Sequence, residues 1–343
     1  MTSVLSPSPS VSGAGSSAAV APVAAVVACN ENIAAPVARA VAVLPGPATR
    51  ISGKRALDPK LIASLAAVYL IWSSTYLAMR IAVVDMPPMI MAAIRFVLAG
   101  ALLLAIAKRR GAAWPSASQW LRAAPAGALL FLGGNGFVGI AEQSVSSGGA
   151  AVVCATMPLW TGVLAAVSGE KPSRREWLSL VVGFIGVLVL MGGPSLAGEP
   201  LHVVLIVLAP VCWSLGSIAS RRFAHSTSID TLTSSAMQML TGAAALTIVG
   251  LIRGEPLPLH ASTTSWLALA YLFVFGSLVG FTAYNWLLRN ARPVVATSYA
   301  YVNPILAVLI GAAVSGEALG VTTLIANVLI VGAVALALGK RPH

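Results

Sequence analysis

The residues able to do chemistry are few, and most stand alone inside long apolar runs. Arg95 is the extreme case, with no other charged residue between Asp85 and Lys108. A guanidinium there can hold a carboxylate through paired N–H donors. It can equally tie down carbonyls or hydroxyls of a neighbouring helix, and residue type alone fits both roles. Trp72-Ser73, with Tyr76 one turn on, recurs as Trp213-Ser214. An indole beside a hydroxyl suits an amphipathic organic solute, offering apolar or cation–π contact next to a hydrogen bond. Small serine faces also serve plain helix packing. Asn135 stands in Gly133-Gly134-Asn135-Gly136, where three glycines weaken a helix and free backbone groups. Tyr284 and Asn285 follow Thr282, and Ser298, Tyr299, Tyr301 and Asn303 precede Pro304. Pro304 removes a backbone donor, which makes Tyr299–Asn303 a candidate hinge with Pro158 as its partner. Simple kinks without motion fit the same residues.

Glu142, beside Gln143, is the one carboxylate near such a pathway, so proton coupling through an acid would start there. A wet helix end would look the same. Cys29, Cys154 and Cys212 are far apart, and His202, His225, His260 and His343 share no metal-ligand spacing. No metal, cofactor or catalytic residue is expected.

The elements that must position these side chains follow from composition. The chain has 343 residues, 58% hydrophobic and 9% charged, against about 25% charged in a soluble domain. Its net charge of +11 does not indicate nucleic acid, because the basic residues sit between apolar runs instead of forming a patch. A transmembrane helix needs about 20 apolar residues, and ten windows qualify: 61–79, 87–107, 123–141, 148–168, 177–193, 201–220, 231–252, 266–288, 294–314 and 319–339. Across all ten, Arg95 is the only Asp, Glu, Lys or Arg. The expected fold is an all-α integral membrane protein. A membrane enzyme would need paired acids or histidines facing a wet cavity, and these windows hold no acid.

Basic residues set the orientation. With Arg95 in the membrane, Arg80 and Arg253 alone fall on one side, and every other Lys and Arg falls on the opposite side. The termini are therefore expected in the cytoplasm. Residues 1–57, rich in Ala, Ser, Pro and Val, read as a disordered cytoplasmic tail.

The windows also repeat. Trp72-Ser73 with Arg80 recurs as Trp213-Ser214 with Arg221, and Gly136-Phe137 as Gly280-Phe281. Pro158 followed by Val167-Ser168-Gly169-Glu170 recurs as Pro304 followed by Val314-Ser315-Gly316-Glu317. The offsets of 141, 144, 146 and 147 stay in order. Two five-helix repeats result, 61–193 and 201–339, and five being odd, the second enters the membrane inverted. Inverted halves with a midplane site between them characterise alternating-access transporters.

The segment Tyr69-Leu70-Ile71-Trp72-Ser73-Ser74-Thr75-Tyr76, the Arg95-Phe96 pair, and Ala296 to Pro304 followed by Gly316-Glu317 resemble the EamA family of the drug/metabolite transporter superfamily. The resemblance covers about 60–340. It implies a ten-helix inner-membrane protein with a central cavity between its halves, and several such proteins export amino acids or related metabolites. One departure stands out: Arg95 has no basic counterpart near Met237–Gln238. The expected function is secondary transport, with export favoured, of small organic metabolites such as amino acids, by alternating access. The alternative is a non-transporting membrane scaffold or sensor on the same fold. Expected partners are a small-molecule substrate and the lipid bilayer, without nucleic acid. Gly276 and Gly280 form a GxxxG spacing that does not establish a dimer, so the oligomeric state, monomer included, stays open.

Overall fold

The computed structural model describes residues 58–145, 147–190, 199–306 and 321–339. The expected tail at 1–57 and the Gly316-Glu317 pair lie outside them. Among the described residues every regular element is a helix. In chain order these are α1 (Pro59–Ala82), α2 (Pro88–Arg109), α3 (Ala117–Ala141), α4 (Ser147–Cys154), α5 (Met157–Val167), α6 (Arg174–Leu190), α7 (Pro200–His225), α8 (Thr231–Ile252), α9 (Thr263–Asn290), α10 (Pro293–Thr297), α11 (299–306) and α12 (Val321–Leu338).

Local chemistry sets the boundaries. Asp58, Ser116, Asp230 and Ser262 each accept a backbone N–H from the first turn that follows, satisfying donors that a helix start leaves free. Prolines open α1, α2, α7 and α10, where their missing N–H costs nothing. Helices α2 and α8 stop in the same manner: Gly111 and Gly254 take φ of +85° and +69°, conformations that favour glycine. The next amide bonds back to the helix, Ala112 N–H to Ala107 O and Glu255 N–H to Gly250 O.

Seven helices, α1, α2, α3, α7, α8, α9 and α12, are long and apolar enough to cross a membrane. The three remaining windows are shorter or interrupted. The 148–168 window breaks at Ala155–Thr156 between α4 and α5, where the Thr156 hydroxyl donates to Val153 O at 2.6 Å and Pro158 starts the next helix. The 294–314 window breaks at Ser298 between α10 and α11, and 307–314 lies outside the described residues. Helix α6 has 17 residues.

Two spanning helices carry wider π turns in their middles, Ala128–Gly136 in α3 and Leu272–Phe281 in α9. Such turns leave backbone groups poorly paired and recur at functional sites. The most extensive side-by-side packing joins α3 to α7, followed by α2 to α8, α6 to α12 and α1 to α9. The main buried cluster runs through α1, α2, α3, α7, α8 and α9 and includes Trp72, Phe96, Phe131, Trp213 and Tyr284.

Candidate functional site

The site grows from rings that the helices bring together. Trp72 on α1 lies 5.5 Å from Trp213 on α7, 5.1 Å from Tyr284 on α9 and 4.7 Å from Tyr299 on α11, measured between ring centroids. Phe96 on α2 and Phe131 on α3 stack at 4.3 Å, and Phe281 joins Phe131 at 4.7 Å. Glycines make the close approach feasible. A Cβ on Gly280 would collide with the Trp72 indole nitrogen, and one on Gly134 would come within 2.5 Å of Trp213 Cε3. The Gly276 and Gly280 spacing therefore serves packing within this chain, α9 against α1. Hydrogen bonds fix the indoles: Trp72 Nε1 donates to Gly276 O at 3.2 Å, and Trp213 Nε1 to the Tyr284 hydroxyl at 3.2 Å.

Beside this aromatic wall lies a cavity with about 740 Å³ of empty space, its open mouth included. Its walls come from α1, α2, α3, α4, α5, α7, α9 and α11. Met79, three residues before the end of α1, and Val138, three before the end of α3, extend it towards the loops 83–87 and 142–145. Towards the opposite, arginine-rich end, the space is filled. There Tyr284 is fully buried and bonded to Ser217 at 2.7 Å. Gln238, Ser220, Asn285 and Ser235 form a chain of side-chain hydrogen bonds. Ion pairs Arg221–Glu170 (3.0 Å) and Arg292–Glu176 (2.9 Å) finish that end.

Six residues singled out from the sequence line the cavity: Trp72, Arg95, Asn135, Trp213, Tyr299 and Asn303. Arg95 is 5% exposed. Its Nε donates to Ser277 Oγ at 2.6 Å, its guanidinium carbon stands 4.5 Å from the Phe96 ring centre, and Nη2 rests near Gly276. Among the described residues neither Nη atom makes a hydrogen bond, and no carboxylate pairs with the cation. The half-buried Asn135 amide likewise has no partner among them. Asn303, with its amide nitrogen turned inward, donates to the carbonyls of Tyr299 (3.1 Å) and Tyr69 (3.3 Å).

Five others sit off the cavity. Ser73 donates to Leu70 O on its own helix, and Ser214 to Met157 O, so both serve backbone carbonyls. Ser298 meets the Tyr69 hydroxyl at 2.6 Å. Tyr284 backs the aromatic wall and Asn285 is absorbed by the polar chain at the closed end. The Tyr76 side chain lies outside the described residues. Pro158 begins a helix after a break instead of kinking one, and Pro304 stands five residues after Tyr299 in α11. The two breaks meet, because the Tyr299 hydroxyl donates to Met157 Sδ at 3.0 Å.

Sequence reasoning passed over several lining residues: Thr75, Phe131, Cys154, Met157 and Pro210. Thr75 and Met79, at i+3 and i+7 from Trp72, share its helix face and were legible by that spacing. Pro210, inside the apolar run of α7, was a signal as well.

Glu142 follows α3, one turn beyond Val138 and off the cavity wall. Its Oε2 is buried with no partner among the described residues. Burial outweighs the nearby Arg80 charge and pushes this carboxyl up to about 7. The acids on the neighbouring loops are committed. Asp85 accepts from Ser262 N–H and Ser265 Oγ (3.1 and 2.9 Å), bonds that hold its carboxyl below the usual range. Glu255 Oε2 accepts from the amides of Met89 and Ile90, capping α2 from the α8–α9 loop.

Comparison with known proteins gives a consistent answer. The model of the EamA-like transporter family matches twice, over residues 60–192 and 200–339. The uncharacterized inner membrane transporter YedA of Escherichia coli (strain K12) is 40% identical over 282 residues, covering 82% of this chain and 91% of that protein. An uncharacterized transporter of Archaeoglobus fulgidus is 25% identical over 290 residues, covering 81% and 96%. A solved crystal structure superposes with a TM-score of 0.67 at 23% identity, covering 81% of this chain and 96% of the other, a likeness of fold. With a family match over both segments, a close inner-membrane relative and seven apolar helices, the chain belongs to the EamA-like transporter family and is a multi-pass inner-membrane transporter.

Proposed function

We propose that the protein is a secondary transporter, working as an exporter, of small organic metabolites such as amino acids or related amphipathic compounds. It would operate by alternating access around the cavity between two inverted five-helix halves, with both termini cytoplasmic. The observation that carries this reading is the cavity itself, lined from both family-matched segments by rings, one guanidinium and the amides of Asn135 and Asn303.

The repeat reading draws support from irregularities that recur at nearly the same offset. The π turns of α3 and α9 begin 144 residues apart, at Ala128 and Leu272. The glycine terminations of α2 and α8 lie 143 apart, at Gly111 and Gly254. Exchanging the halves turns the α1–α9 pairing into α7–α3 and leaves α2–α8 unchanged. Broken helices in a midplane site are the means by which such transporters bind and release cargo. Coupling would rest on Glu142, whose buried oxygen lacks a partner among the described residues.

The test uses the full chain in liposomes loaded with a mixture of amino acids, amines and carboxylic acids. Mass spectrometry of the external medium is compared with protein-free liposomes under proton gradients of both signs. Saturable release of one chemical class is the expected result. No release above the protein-free rate, from protein that still melts cooperatively, overturns transport and favours the scaffold or sensor reading.

A further inference from the structure

We infer that the cavity recognises one carboxylate carried on an apolar or aromatic body, and that a free ammonium group on the same molecule weakens binding. This rests on the transport reading above but departs from its amino-acid example, placing organic monoacids ahead of amines, amino acids and phosphate esters.

Arg95 uses only part of its donor capacity on the described residues. Its Nε is committed to Ser277, which orients the planar guanidinium, while both Nη atoms lack hydrogen bonds to described residues and line the cavity. Two adjacent N–H groups on a fixed plane match the two oxygens of a carboxylate. With Arg95 only 5% exposed, a cation lacking a carboxylate partner among the described residues strongly favours an anion that can reach it.

Charge counting then limits the ligand. Arg95 is the only charged residue on the described wall, so a single negative charge balances it. A phosphate monoester, close to two negative charges, would stay half unbalanced. The same wall holds no carboxylate to receive an ammonium, so an amino acid would bring a second cation beside the guanidinium. Aromatic faces can hold a cation, but Phe96 is already engaged by Arg95, and the Trp72 indole is hemmed in by three other rings. The remaining wall, with Phe96, Phe131, Phe281 and Met157, is suited to an apolar body, and the Asn135 amide can take one neutral polar group.

The experiment measures binding to the purified full chain by thermal stabilisation and tryptophan fluorescence, since Trp72 and Trp213 line the cavity. The probes are 3-phenylpropionate, its neutral amide, 3-phenylpropylamine, L-phenylalanine and phenyl phosphate. The carboxylate is expected to bind at least tenfold more tightly than each of the others. Arg95→Gln is expected to lose that preference, and Arg95→Lys to retain part of it because the charge remains. Arg222→Gln removes one exposed charge and should bind as the parent does. Equal or tighter binding of the amine, amino acid or phosphate overturns the inference, as does carboxylate binding unchanged in Arg95→Gln or absent in the parent. If Arg95→Gln fails to fold, the Arg95→Lys series and the parent's ranking of probes still decide it. Liposome flux separates the two readings. Amino-acid release without carboxylate binding sinks this inference and leaves transport standing. Tight carboxylate binding without release of any probe sinks transport and leaves the anion site.

Discussion

Arg95→Met tests whether the buried guanidinium is a structural clamp or a ligand held ready for cargo. Methionine keeps much of the length and apolar stem while removing the charge. The substitution loses the bond to Ser277, about 1.5–3 kcal/mol for a charged donor, and the contact with Phe96, about 0.5–2 kcal/mol. It also relieves a charge whose cost at a helix centre is about 2.5–3.5 kcal/mol on insertion scales. Ser277 is not orphaned, because its own proton goes to Leu272 O at 3.3 Å. These effects nearly cancel, so stability should change by no more than about 1 kcal/mol, a shift of about 2–4 °C in melting temperature. Transport should fall to the protein-free rate. The assay pairs thermal unfolding in detergent with liposome flux. A loss of about 3–5 kcal/mol, the usual result of breaking a buried charge network, would refute the reasoning and make Arg95 a clamp.

Gly134→Ala sets a Cβ within 2.5 Å of Trp213 Cε3 and should destabilise by about 1–3 kcal/mol, with changed tryptophan emission. Gly332→Ala, with nothing within 4 Å, should leave the melting temperature unchanged or slightly raised. Glu255→Ala frees the amides of Met89 and Ile90 and removes the partner of Arg253, so a loss of about 1–2 kcal/mol is expected in thermal unfolding. Glu142 titrates near 7 in the folded protein because of burial, whereas the unfolded chain releases that proton at about 4.3. The fold therefore holds the extra proton between those values. Stability should drop as pH rises across that window and level off above it, and Glu142→Gln should flatten this slope. A melting-temperature series from pH 4.5 to 8 on both proteins reads it, and identical slopes would remove Glu142 from the account.

Much of this architecture is legible in the sequence because lipid imposes a simple rule: charges are kept from the hydrocarbon. That rule marks α1, α2, α3, α7, α8, α9 and α12, and it exposes Arg95 as an exception. Trp72, Trp213 and Asn135 follow from their central positions in apolar runs, since a polar or amphipathic group there needs a partner or a cavity. Helix rotation is harder to read. Ser73 and Ser214 neighbour the two indoles in sequence, yet each turns about 100° away per residue and spends its hydroxyl on a carbonyl. Tyr284 and Asn285 fail as cavity residues for a different reason. Their partners Ser217, Ser220 and Ser235 come from helices far away in sequence, and one pattern cannot show which polar groups will satisfy one another. The π turns escape prediction too, since the inserted residue leaves no compositional mark beyond glycines that also serve packing.

The lone guanidinium has an electrical consequence. With an organic monoanion seated on Arg95, the core of the loaded protein is neutral, whereas the empty protein keeps a full positive charge there. Any rearrangement that shifts Arg95 along the membrane normal then moves charge only when the site is empty. The membrane potential, about 2.3 kcal/mol per elementary charge per 100 mV for a complete crossing, would bear on the return of the unloaded carrier and leave the loaded step almost untouched. Voltage would thus set how quickly the transporter resets, while cargo concentration sets how often it moves forward.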